Sequence, residues 1–454
     1  MKLSRTMDHT KGPVYKNLIT FAFPFMIANV VSSLYNLVDM LIVGQFCGAE
    51  AIAGVNIGVN IMHIINALVL GFSTGISVLV AQYRGANDKE GIYESVNTMI
   101  SFCIPVILAM TLLLVFTNNF WIRICKTPEE AVYDGRLYLL ICCIGVVFMF
   151  SYSAVCAILR ALGDSTKPMI YSCISAVINI VLDLLFVAVF DFRAAGAAVA
   201  TVISQAICFM LALIHLLRRK DYDFKINRST LHINKATLKM LLKVSLPSSF
   251  QLSFVALAAM VVIAFINEYG IDVASGYAVG SKSGMLFNIF SGSITSAMTV
   301  AVGQNAGAGN FYRIRSYVNK GVLTLAGLSL IYLVVLQLFA EQFSAIFTSD
   351  PNVIRESVRY IRTGAMYYLP LCILFSYQSL LTGIGFTSFL LILSAVDGIV
   401  MRLGISFLLD KVFGLGIYAH YAAIMLAPTL PAVIAAWYFY KGKWEKRCLI
   451  RKKV

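Results

Sequence analysis

Tyr35, Asn36 and Asp39 place a phenol, an amide and a carboxylate in an apolar run, residues 32–44, that is part of a stretch long enough to cross a bilayer. A charged side chain at hydrocarbon depth costs at least about 2.5 kcal/mol, so intramembrane acids face a bundle interior or a wet cavity. Tyr35 and Asn36 precede Asp39 by four and three residues, which on a helix puts all three on one face. A second polar face follows at Asn179-Ile180-Val181-Leu182-Asp183, where an amide and a carboxylate lie one turn apart. Gly196-Ala197-Ala198-Val199-Ala200-Thr201 adds a small-residue face for close helix approach, ending in a hydroxyl. Counted from the exterior helix ends at about 1.5 Å per residue, Asp39 and Asp183 lie roughly 7 and 11 Å deep, so one site can contain both. Two acids, an amide and a hydroxyl form a hard-oxygen set for a proton or a small cation such as Na⁺. The alternative is a hydrogen-bonded structural cluster.

Other polar residues in apolar surroundings are weaker candidates. Pro24 and Pro247 stand at matched points of two long apolar runs and are expected to break those helices, as happens at transport sites and also at ordinary kinks. Lys282 and Arg402 are the bases of the second-half runs that stand away from the helix ends. Lys282 has two readings, a snorkelling lysine near Asp272 or a cavity residue. Asp397 and Arg402 are five residues apart, off one α-helical face, so a charge-balancing role without a direct pair is expected. His63 lies deep in a run but has no clustered ligands around it, so no transition-metal site is expected. The glycine-rich stretch 303–309 ends a helix and does not join a strand to one, which argues against a phosphate loop. The ten cysteines lack ligand spacing and read as small core residues. No nucleophile, base and orienter can be assembled, so an enzyme is not expected.

The elements that position these residues follow from composition. Of 454 residues 59% are apolar and 13% charged, and mean hydropathy is +0.82, which describes an all-α polytopic membrane protein. Twelve runs reach the length of roughly 20 apolar residues that a bilayer requires: 17–43, 53–82, 96–117, 134–160, 168–190, 195–217, 241–267, 273–303, 318–340, 356–383, 388–411 and 416–440. The first run is longer than the apolar core of a signal peptide and leads into further runs, so it is expected to stay as a transmembrane helix. The net charge of +14 is concentrated on one side. Most Lys and Arg fall before residue 17, between Arg218 and Lys243, after Tyr440, and at Arg84, Lys89, Arg160, Lys167, Arg313, Arg315 and Lys320. The positive-inside rule then places both termini in the cytoplasm, with anionic lipid headgroups and not nucleic acid as the partner of that charge.

The chain also repeats itself at an offset of about 222 residues. Pro24 aligns near Pro247, Gly54 and Gly58 align with Gly276 and Gly280, and residues 81–87 align with 303–309. The hydrophilic linker that follows Leu217 divides the sequence into six-helix halves, 1–222 and 223–454. An even number of spans makes the halves parallel repeats related by a pseudo-two-fold along the membrane normal, an architecture of transporters. Asp39 and Asp183 have no acidic counterpart, because they align with Val261 and with Ile405 or Ser406. The shared scaffold therefore does not require them, and a role particular to the first half is expected.

Taken together, Pro24, Tyr35-Asn36-Leu37-Val38-Asp39 with Val43-Gly44, Gln82 with Gly85-Ala86, Leu162-Gly163-Asp164, Asn179 with Asp183, Gly196-Ala197-Ala198, and Gln304 with Gly307-Ala308-Gly309 are specific at these spacings. In these residues the chain resembles the multidrug and toxic compound extrusion family of efflux transporters over nearly its whole length. In the DinF-like branch the coupling ion binds acids and polar groups of the first half. That resemblance implies Tyr35, Asp39, Asn179, Asp183 and Thr201 here, with Pro24 where the first helix bends. The NorM-like branch is described with an acid in its seventh helix, yet residues 244–267 contain none.

The resulting expectation is a monomeric, multi-pass plasma-membrane antiporter that exchanges amphipathic, cationic organic compounds for H⁺ or Na⁺ by alternating access and needs no cofactor. A flippase for lipid-linked sugars, of a related fold, is the rival. It would need a basic cavity, whereas away from the helix ends the acids Asp39, Asp183 and Asp397 outnumber the bases Lys282 and Arg402.

Overall fold

The structure, a computed structural model, describes residues 6–124, 129–219 and 232–450, and within these it is helical with no strand. Eleven helices are individually long and apolar enough to cross a membrane. They are α1 (Val14–Gly48), α2 (Gly54–Gly85), α3 (Lys89–Phe116), α4 (Glu129–Ala161), α5 (Thr166–Val189), α6 (Arg193–Leu217), α7 (Lys235–Asn267), α8 (Ile271–Gly307), α9 (Phe311–Ala345), α11 (Thr387–Val412) and α12 (Ile417–Tyr440). The twelfth, α10 at 351–383, is divided by a single tighter turn, Ala365–Tyr367, into Pro351–Gly364 and Tyr368–Gly383. All twelve expected runs are therefore helical.

Helix ends extend past the apolar runs wherever polar residues cap them. Asp88 Oδ1 accepts from the Gly91 amide at 2.8 Å to start α3, several residues before the hydrophobic pattern begins. Asp350 does the same for Asn352 at 2.9 Å, with Pro351 at the first position of α10. Gly48, at φ +80°, supplies the left-handed residue that separates α1 from α2.

The chain forms two compact units. The first spans Phe23–Ser245 with the residues ahead of His9; the second spans Leu246–Val454 together with His9–Ala22. The sequence boundary at 222/223 falls within 220–231, outside the described residues. The first unit is built on a core that includes Val69, Ile76, Val80, Ile158 and Leu159, and the second on one that includes Val318, Leu380, Ile384, Phe439 and Trp444.

Within the second unit the chain start is held at His9, which is fully buried. Its amide donates to Gln304 Oε1 at 3.0 Å, and its carbonyl accepts from Asn305 Nδ2 at 3.1 Å, Arg313 Nη2 at 2.9 Å and the Tyr317 hydroxyl at 3.3 Å. Its ring packs edge-on against Phe21 at 4.6 Å.

Two local features differ from expectation. Pro24 and Pro247 do not break their helices: α1 departs from helical dihedrals at Gly48 alone, and α7 runs through Pro247. Each proline removes one backbone hydrogen bond while its fixed φ remains helical. The fifth and eleventh helices also widen into π-helical turns, at Leu184–Val189 in α5 and at Val396–Gly404 and Leu408–Val412 in α11. Under the repeat, 408–412 falls on 186–190, so the widening at this point is common to both halves.

Candidate functional site

Asp183 ends the α-helical part of α5, where the π-helical turns begin. The packing that buries it comes from α6, whose Ala194, Ala197, Ala198 and Ala200 are fully buried. At Gly196 a Cβ would stand 3.1 Å from the backbone of Phe186, so only the small-residue face allows this approach. One turn before Asp183, Asn179 is 1% exposed and donates through Nδ2 to Thr201 Oγ1 at 3.3 Å.

Asp39, from α1, meets Asp183 directly, and Tyr35 lies in electrostatic contact with both acids. The five residues expected at this site are thus brought together in the first unit. Asp39 Oδ1, both carboxyl oxygens of Asp183 and Asn179 Oδ1 are buried without a hydrogen-bond partner among the described residues. Buried acceptors are normally satisfied. Three unpaired oxygens on two neighbouring acids, with the unpaired oxygen of Asn179 one turn away on the same helix, make this part of the first unit negative and poor in donors.

Two neighbours were not recognised from sequence. Tyr138 and Cys142 of α4 are buried in the core cluster that takes in Val38 and Ile42 of α1, within electrostatic reach of Asp39 and, for Tyr138, of Tyr35. A tyrosine and a cysteine inside an apolar run carry no periodic signal. Tyr138 could have been found through the repeat, because it falls on Tyr360 in the second half.

The remaining candidates lie elsewhere. Asn36 is exposed, so of the polar face proposed for α1 only Tyr35 and Asp39 enter the site. Lys282 is also exposed, at the turn joining the two parts of α8, with its ammonium 4.7 Å from the Phe347 ring. His63 is exposed, and among the described residues no group of three or more His, Cys, Asp or Glu could hold a metal ion.

Asp397 and Arg402 do form a direct pair, with Arg402 Nε donating to Asp397 Oδ2 at 2.8 Å, contrary to expectation. The physical reason is the π-helical stretch Val396–Gly404, in which residues five apart stack on one face. In the second unit Arg402 lines a cavity of about 160 Å³. A smaller one, of about 60 Å³, lies in the first unit beside Pro24 and is walled by Tyr152, Arg160, Pro168 and Ser172 among others.

Repeated sets of apolar helices around an acid pair with unsatisfied oxygens fit the class of integral membrane transporters. The chain belongs to the MatE family: the family model matches residues 24–185 and again 247–408, so the two matches begin at Pro24 and Pro247. Relatives include the probable multidrug resistance protein YpnP of Bacillus subtilis, 26% identical over 99% of this chain and 100% of its own length. Another is the multidrug export protein MepA of Staphylococcus haemolyticus, 21% identical over 97% and 96%.

Solved structures share the fold. A MOP-superfamily transporter from Pyrococcus furiosus, described as having reversed binding-pocket polarity, superposes with a TM-score of 0.91 at 22% identity, covering 98% of this chain and all of that one. An outward-facing multidrug resistance MATE family transporter superposes with a TM-score of 0.90 at 22% identity and the same coverage.

Proposed function

We propose that this protein is a secondary antiporter of the plasma membrane that exports amphipathic, cationic organic compounds in exchange for H⁺ or Na⁺. The observation that supports this reading is the Asp39–Asp183 pair: two neighbouring carboxyls, Asp183 fully buried with both oxygens unpaired and Asp39 half-buried with Oδ1 unpaired. Left ionised, they attract a cationic compound but repel each other across a short distance in a low dielectric. A proton or Na⁺ at the pair removes both effects, so loading the ion weakens binding of the cationic cargo and lets the emptied transporter return. The neighbouring oxygens of Asn179, Thr201 and Tyr35 are hard ligands that suit either ion. One charge moving across 100 mV releases about 2.3 kcal/mol, enough for roughly fifty-fold accumulation.

The relatives named for multidrug resistance and export support the cargo class. The basic residues on the side of both termini support a cytoplasmic location for them. We read the transporter as a monomer with no organic cofactor. In everted vesicles, ethidium transport should respond to an imposed pH or Na⁺ gradient, and Asp39→Asn should abolish that response. A variant that retains the full ion-driven response would overturn the assignment of the coupling site.

A further inference from the structure

The cavity of about 160 Å³ in the second unit shares no residue with the acid pair and is walled by Tyr277, Ser283, Tyr360, Tyr367, Tyr368 and Arg402 among others. In the first half Tyr277, Ser283, Tyr360, Tyr367 and Tyr368 fall on Val55, Ile61, Tyr138, Gly145 and Val146, and Arg402 falls on Ile180 or Asn179. None of these counterparts is charged, and Tyr138 is the one phenol among them. The shared repeat therefore does not require the arginine or three of the four phenols, which the second half has concentrated in one place.

The cavity is charged in one sense. Arg402 is 8% exposed and reaches the wall, whereas Asp397, which holds its Nε, does not. No Asp or Glu stands among the described lining residues. A guanidinium held on one edge keeps further donors in a rigid plane, a geometry suited to a carboxylate. The tyrosine rings line it as two edge-on pairs, Tyr277 with Tyr360 at 4.9 Å and Tyr367 with Tyr368 at 5.5 Å. A cavity of about 150 Å³ with apolar walls admits a benzene ring.

We propose that this cavity is a binding site for a small aromatic carboxylate, with its carboxylate on Arg402 and its ring among Tyr277, Tyr360, Tyr367 and Tyr368. The site is built within the second unit and is independent of ion coupling at Asp39.

Calorimetric titration of the purified full-length protein with benzoate, benzamide and benzylamine tests it directly. Benzoate should bind saturably, and the neutral and cationic analogues at least tenfold more weakly. Two variants locate the site. Asp397→Asn/Arg402→Gln removes both charges together, and Gly284→Leu fills the space while leaving them in place. Gly284 lines the cavity, and a Cβ there meets only the Tyr368 hydroxyl, at 3.7 Å, so the backbone can accept a side chain. Each variant, checked for a wild-type gel-filtration profile, should lose benzoate binding by at least tenfold. No saturable benzoate binding, equal binding of benzamide, or undiminished benzoate binding by the folded Gly284→Leu protein would overturn the proposal.

Discussion

The ring of Tyr138 lies over Gly58 so closely that a Cβ on the glycine would stand 2.5 Å from Tyr138 Cδ1. The same relationship recurs in the second unit, where a Cβ on Gly280 would stand 2.6 Å from Tyr360 Cδ1. One turn earlier Gly54 approaches the Gly135 amide and Gly276 approaches Glu356, so the glycines that repeat are the points where α2 meets α4 and α8 meets α10. The surroundings of each tyrosine then differ: Tyr138 lies within electrostatic reach of Asp39, and Tyr360 walls the arginine cavity. Gly58→Ala and Gly280→Ala should each cost about 1–3 kcal/mol through overpacking. Melting in detergent checks the cost. Gly58→Ala should also impair ion-driven efflux more than Gly280→Ala does, and equal impairment would show that Tyr138 is scaffold only.

On the proposed function Asp39 and Asp183 act as one site, so their removal should be non-additive. Asp39→Asn and Asp183→Asn should each reduce gradient-driven ethidium efflux to near background. The double variant should be no worse than either single one. Independent effects that multiply would mean two separate sites. The measurement is initial efflux rate in everted vesicles at matched protein levels.

The Asp397–Arg402 pair gives a stability test. Arg402→Gln leaves a buried carboxylate without its cation, a loss of the order of 3–5 kcal/mol, whereas Asp397→Asn/Arg402→Gln removes both charges and should recover much of it. Thermal melting of the three proteins distinguishes this from a pair that contributes nothing. In that case the single and double variants would melt together.

Arg313 should matter through the chain start. Its Nη2 donates to the carbonyls of His9, Lys11 and Gly12, at 2.9, 3.1 and 3.0 Å. Arg313→Gln should loosen this segment and speed limited tryptic cleavage at Lys11 and Lys16 several-fold, since cleavage follows the population of opened chain. His9→Ala, which keeps the accepting carbonyl, should have a smaller effect on cleavage. The reverse order would place the anchor in the histidine ring.

Much of this could be read from sequence because the bilayer imposes a coarse and repetitive grammar. Apolar run length gave all twelve helices, and the repeat separated Gly58 and Gly280, which both halves need, from Asp39 and Asp183, which only one half has. The expected helix ends fell short at α3, where Asp88 caps the helix ahead of its apolar stretch. Asp397 and Arg402 were misjudged because the face rule assumes 3.6 residues per turn, and nothing in residues 396–404 announces a wider helix. Tyr138 and the tyrosines of the arginine cavity were hidden by ordinary composition. An aromatic residue in an apolar run has the same appearance whether it faces lipid, core or ligand. His9 was passed over because its partners are nearly 300 residues away, and four of its contacts run through its backbone.

A π-helical turn holds one residue more than the α-helix needs. If the stretch around Asp397 and Arg402 returned to α-helical winding, every residue beyond it would rotate by about 100° about the helix axis. Asp397 and Arg402 would then stand on different faces. Their ion pair is therefore tied to helical register: it can close only while α11 holds the spare residue.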